Sequence, residues 1–129
     1  METELNNTAT VLGNYNSIPT EISTQALVVT MLKGLIATKT ADKMIWSDGL
    51  LTYTIVVSND TDYDYVGPVV TDILDISLIS LVDDSVTVDG VKISTPQYTW
   101  DSSSGKLSIS LTDIEAKGKK TITFQVEKK

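Results

Sequence analysis

The chain contains no cysteine and no histidine, and all ten of its basic residues are lysine. These absences exclude a disulfide, a thiolate or imidazole metal site, Ser-His-Asp or Cys-His catalysis, and a bidentate guanidinium clamp. A formal net charge of -7 argues against nucleic acid or an anionic membrane as partner. Long hydrophobic runs are missing as well. The longest apolar stretch, residues 26–37, is interrupted by Lys33 and is too short to span a bilayer, so no membrane insertion is expected. The opening METELNNTAT carries neither a basic nor an apolar leader region, so no intact signal peptide is expected. What remains points away from catalysis and cofactors and toward a structural or binding role. No catalytic residue is assigned.

What the chain has in quantity is threonine and serine, 31 of 129 residues, with 41% hydrophobic residues to build a core. Threonine and valine favour strands, and serine favours turns. Alternation with period two dominates. In LLTYTIVVSN, Leu51, Tyr53, Ile55 and Val57 point one way and Thr52, Thr54 and Ser58 the other. SVTVDGV, KLSISL and KTITFQVEK repeat the pattern, and Ser47-Asp48-Gly49, Val66-Gly67-Pro68, Asp89-Gly90, Ser104-Gly105 and Lys117-Gly118 punctuate it. Short strands with such punctuation predict an all-β antiparallel sandwich in a single domain. TDILDISLISLVDD, the one weak helical candidate, reads as a strand running into a loop or short turn. Residues 1–34 form a separate segment: NNTATVLGNY and TQALVVTML as two strands, joined by NSIPTEIS as a loop. The second is apolar on both sides, with Val28 and Leu32 on one face and Leu27, Val29 and Met31 on the other, so it expects cover on both.

From Leu35 to Val126 the order LIATKTAD, LTYTIVVSN, VVTDIL, SVTVDGV, SGKLSISLTDIEAKGKKTITFQV resembles the bacterial surface repeat catalogued as domain of unknown function eleven. Lys39, Tyr53, Asn59, Asp72, Leu74 and Gly118 occupy positions that match its pattern. Asp75 stands where the family often has proline, and Asp60, Asp62 and Asp64 stand where its loop has glycine and asparagine. The resemblance implies an immunoglobulin-like sandwich for residues 35–129, of the kind carried in tandem on bacterial cell walls and spore surfaces, with no catalytic residues. It also implies that residues 1–34 correspond to the two closing strands of a repeat, placed out of the usual order. Such a segment has two options. It completes its own sandwich, or it completes a neighbouring copy by β-strand donation, a head-to-tail contact that need not close and so makes fibres. Leu27, Val28, Val29, Met31 and Leu32 are then the donated interface. Glu2 and Glu4 at one end of the chain and Lys117, Lys119, Lys120, Lys128 and Lys129 toward the other suit head-to-tail contact, although chain ends commonly collect solvated charge.

Two constellations carry candidate chemistry. Lys39, Asn59 and Asp72 all fall in the inward register of their strands, which is the residue set for a self-formed Lys–Asn isopeptide crosslink. That chemistry needs a desolvated neutral amine and a protonated carboxyl group. The plain alternative is that Asn59 and Asp72 bond turn backbone while Lys39 pairs with Asp72 or reaches water. Asp60, Asp62 and Asp64 have the alternation of a calcium loop, but Tyr65 and Thr71 stand where an EF-hand needs glycine and glutamate. A looser Ca²⁺ site and a solvated acidic loop tip are the remaining readings. Trp46 and Trp100 flank turns and are candidates either for stacking on sugar or for capping the core.

The sequence thus predicts a structural subunit of a bacterial surface or spore-surface fibre, extracellular, whose partners are copies of itself or neighbouring repeats. The alternatives are a stalk or spacer module of a larger adhesin, and a small sugar- or calcium-binding module.

Overall fold

The computed structural model describes residues 8–15, 18–23 and 34–129. Within them the chain is all β, with eleven strands and no helix. Strands β1 (Ala9–Tyr15), β2 (Ile18–Ser23), β5 (Tyr65–Ile73), β9 (Tyr98–Asp101) and β10 (Lys106–Ser110) form one sheet, in the order β2-β1-β5-β10-β9. The other sheet has β3 (Leu35–Ala41), β4 (Leu51–Asn59), β11 (Lys119–Lys128), β7 (Thr87–Val88) and β8 (Val91–Lys92) in the order β3-β4-β11-β7-β8, with β6 (Ile79–Leu81) also on β11. Every pairing is antiparallel.

The period-two pattern does what elementary strand geometry requires. Along β4, Leu51, Tyr53, Ile55, Val57 and Asn59 are buried and the residues between them are not. β11, beside β4 in the same sheet, adds Ile122, Phe124 and Val126 to that face, and the opposite sheet contributes Val11, Val70, Leu107 and Ile109. One aliphatic core lies between the sheets, with Tyr53 and Phe124 in ring contact at 5.5 Å. The stretch TDILDISLISLVDD runs out of β5 and turns at Asp75–Leu78, as its reading requires, and then re-enters as β6, a strand that reading did not include.

The N-terminal segment differs from its reading. The expected loop NSIPTEIS is mostly strand: β2 pairs with β1 from Thr10↔Ser23 to Tyr15↔Ile18, with only residues 16–17 between the strands. Pro19 suggests a loop in sequence, but β2 is an edge strand, and an edge tolerates a residue without a backbone N–H. The expected second strand, residues 24–32, lies outside the described residues.

The sandwich has two distinct ends. The β3–β4 loop, Asp42–Leu50, lies at the end where β4 starts, and the β4–β5 loop, Asp60–Asp64, lies where β4 finishes. β2 ends with Ser23 level with Thr10 and Thr71, at the Trp46 end, whereas β3 begins with Leu35 opposite Asn59, at the other.

Candidate functional site

Lys39 and Asp72 meet across the two sheets. Lys39 Nζ lies 2.5 Å from Asp72 Oδ2, and their side chains are 5% and 0% exposed. Alternation directs both inward: Lys39 follows Leu35 and Ala37 on β3, and Asp72 lies between Val70 and Leu74. The ammonium also sits 4.3 Å from the centroid of the Tyr53 ring and 5.6 Å from that of Phe124. Burial pulls the Lys39 pKa below the ordinary lysine value, while the charge of Asp72 and its hydrogen bond pull it back. The Tyr53 hydroxyl is pushed up, first by burial and then by the charge of Asp72.

Asn59 does not join this pair. Its register places it opposite Leu35, whereas Lys39 is opposite Ile55, four residues along β4 and so about 13 Å away. All three residues of the proposed crosslink face inward, as read, but Asn59 stands at a different height in the sandwich from the Lys39–Asp72 pair. Asn59 serves instead as the keystone of the far end. Its Nδ2 donates to the carbonyls of Tyr63 (2.8 Å), Ile114 (3.0 Å) and Glu115 (3.2 Å). Its Oδ1 accepts from the N–H (3.1 Å) and hydroxyl (2.6 Å) of Thr61. Both atoms of the amide are engaged, so Lys39 has an acid beside it but no Asn59 amide to attack.

The acidic loop at that end is organised by cations and backbone. Lys117 Nζ lies 3.6 Å from Asp60 Oδ1 and 3.5 Å from Asp62 Oδ1 on the surface. Asp64 Oδ1 turns away to accept the Ala116 N–H at 3.0 Å. The structure does not bring Asp60, Asp62 and Asp64 together, and among the described residues no three acidic side chains are gathered to hold a metal ion. Both tryptophans are half-buried and pack against the core. Trp46 Nε1 donates to Gly49 O at 3.1 Å and the ring receives Lys128 Nζ at 5.3 Å.

Sequence reasoning missed the residue that ties the N-terminal hairpin to the body. The Tyr65 ring is fully buried, and its hydroxyl reaches Val11 O (3.1 Å) on β1 and Thr20 O (2.8 Å) on β2. Gly13 makes this possible: a Cβ there would stand 2.6 Å from the ring. The signal was present as a glycine inside an otherwise regular strand, which marks a close backbone approach. Burial and the nearby charge of Glu21 push the Tyr65 hydroxyl up to about 12. The proposed donor residues Leu27, Val28, Val29, Met31 and Leu32 lie outside the described residues.

No family model matches the chain, and searches of curated proteins and of solved structures return no match either.

Proposed function

We propose that the chain is a structural subunit of a bacterial surface or spore-surface fibre, an immunoglobulin-like sandwich that polymerises head to tail by donating its N-terminal strands. The observation that carries this reading is the placement of the hairpin. β1 and β2 add to the body at one edge, through pairing with β5 and the Tyr65 hydroxyl. They end at the Trp46 end, while the chain re-enters its own body as β3 at the opposite end. A hairpin seated in a neighbour would therefore leave that neighbour at one end and lead into its own sandwich at the other. Repeated, that contact is heterologous and open.

The segment between Ser23 and Leu35 must cover roughly 20 Å along the strand direction within one chain, and its twelve residue steps reach up to about 40 Å. The same hairpin contacts are thus available within a chain or between chains. The likeness of residues 35–126 to a tandem surface repeat supports the structural role. The second reading, a spacer module that completes itself, is favoured by the pairing of β1 with β5 inside a single chain.

Electron microscopy of the full-length chain at high concentration separates the two. Strand donation predicts filaments with a repeat of roughly 35–45 Å, one sandwich length, and their loss on deleting residues 1–23. Particles of one sandwich at every concentration would leave the spacer module.

A further inference from the structure

We propose that the Met44–Ile45 tip of the β3–β4 loop is a lipid-contact site, which seats in the headgroup boundary of a bilayer of little net charge while the sandwich stays in water. The contact belongs to a single sandwich, whichever copy supplies its hairpin. Such a tip reaches about 5–10 Å into the boundary, which is contact and not a span.

The tip stands clear of the body. Met44 and Ile45 are 104% and 89% exposed, two large apolar side chains side by side at the turn of a loop. Leu50, on the returning arm, is 38% exposed. Trp46 lies behind them, half-buried and packed against the core. A folded protein partner gains little from such a shape, because a pair of protruding side chains offers far less than the roughly 800 Å² per side of a stable interface. An acyl layer is fluid and closes around a convex tip, so it needs no matching pocket.

The loop also meets the demand that hydrocarbon makes and water does not, that main-chain polar groups find their partners within the protein. Four successive carbonyls do so: Ser47 O accepts from Lys128 Nζ (3.1 Å), Asp48 O and Leu50 O from Lys43 Nζ (3.4 and 2.6 Å), and Gly49 O from Trp46 Nε1 (3.1 Å). Bracing of this kind leaves little ordering to be done on contact, which favours binding.

The same bonds set the charges at the base of the tip. Lys43 and Lys128 bond neutral carbonyls, and neither forms an ion pair among the described residues. Their positive charges are therefore open to lipid phosphates, and lysine stems suit that level because they lie along apolar surface while the head stays in the polar layer. Asp42 and Asp48 stand on the same loop, with Asp42 Oδ1 accepting the Thr52 N–H at 2.9 Å. Two lysines against two aspartates leave the base of the tip without net charge, and the whole chain carries -7. The fitting surface is thus zwitterionic and not anionic.

Flotation of the full chain with phosphatidylcholine vesicles, at protein concentrations too low for filaments, tests this. The parent should rise with the vesicles, and brominated acyl chains should quench its tryptophan fluorescence. The double variant Met44→Asp, Ile45→Asp changes only exposed side chains, so its melting temperature should match the parent, while its partitioning should fall about tenfold or more. Met44→Leu, Ile45→Leu keeps the tip apolar and should partition like the parent. A parent left behind by phosphatidylcholine vesicles at millimolar lipid, or an aspartate variant that floats as well as the parent, would overturn the lipid contact. If the aspartate variant lost self-association while its flotation stayed unchanged, the tip would belong to a protein partner instead.

Discussion

The buried pair of Lys39 and Asp72 makes a quantitative prediction, because neither charge can reach water without moving. Replacing Asp72 by leucine leaves an ammonium whose side chain is 5% exposed, facing Tyr53 and Phe124 with no counter-charge. Breaking such a pair costs about 3–5 kcal/mol. A ceiling comes from protonation: the lysine can always discharge, and discharging one with an ordinary pKa at pH 7 costs about 4.6 kcal/mol. Lys39→Met instead removes the cation beside the fully buried carboxylate, with a ceiling of about 4 kcal/mol for taking up a proton at pH 7. The double variant Lys39→Met, Asp72→Leu removes both charges and fills the space with apolar groups. It should fall within about 1 kcal/mol of the parent or exceed it. Urea unfolding of the four chains at pH 7 then closes a double-mutant cycle with a coupling of at least about 3 kcal/mol, against less than about 1 for a surface pair. The pH dependence has a definite sign. Lys39 has its folded pKa below the unfolded value, and removing Asp72 removes what raises it. The folded Asp72→Leu chain therefore binds fewer protons than its unfolded form, and its stability climbs as pH rises toward the unfolded lysine pKa of about 10.4. Single variants that each lose less than about 1 kcal/mol, or an Asp72→Leu deficit flat between pH 7 and 10, would refute the reasoning.

Four further outcomes follow from the geometry. Intact mass spectrometry should return the full sequence mass, since the Asn59 amide is engaged away from Lys39; a mass lower by one ammonia would contradict that placement. Tyr65→Phe should cost about 1–3 kcal/mol by freeing the carbonyls of Val11 and Thr20. In the parent, the folded state keeps a Tyr65 proton that the unfolded chain releases between pH 10 and about 12. Stability should therefore fall by about 2 kcal/mol across that window, and the phenylalanine variant should lack this loss. Asn59→Ala should lose about 3 kcal/mol in urea melts, because several carbonyls and the Thr61 N–H lose their partner. Gly105→Ala should be among the worst small substitutions, more than about 3 kcal/mol, because φ is +78° and a Cβ would lie 2.2 Å from Leu74 O.

How far the sequence carries can be judged from three residues. Alternation assigns a face to every strand residue, and it put Lys39, Asn59 and Asp72 on the inner one, where they are. It says nothing of height along the sandwich, which depends on how many residues each turn consumes before the next strand pairs. The pairing of Leu35 with Asn59 sets Lys39 against Ile55, and a constellation built from faces alone comes apart into a charge pair near one end and an amide knot at the other. The same limit explains β2. Local composition sees Pro19 and polar neighbours and reads a loop, whereas pairing with β1 at the sheet edge makes the proline harmless. Gly13 and Tyr65 are farther still from local reasoning, fifty-two residues apart and joined only because β1 lies against β5.

That union joins the hairpin to the body of the fold. Most of the body is built by β4, β11, β5 and β10, whose buried residues face each other across the core. The hairpin adds Ala9, Val11 and Ile22 to that core from the side. Its attachment runs through strand pairing with β5 and the tyrosine hydroxyl. Under the strand-donation proposal such an element must be stable where it sits yet able to sit on another copy, so its contacts have to be indifferent to which chain supplies it. Backbone pairing and a hydroxyl bonded to main-chain carbonyls meet that requirement. The buried Lys39–Asp72 pair lies on β3 and β5, outside the hairpin, so the body retains its inter-sheet tie whichever copy provides β1 and β2.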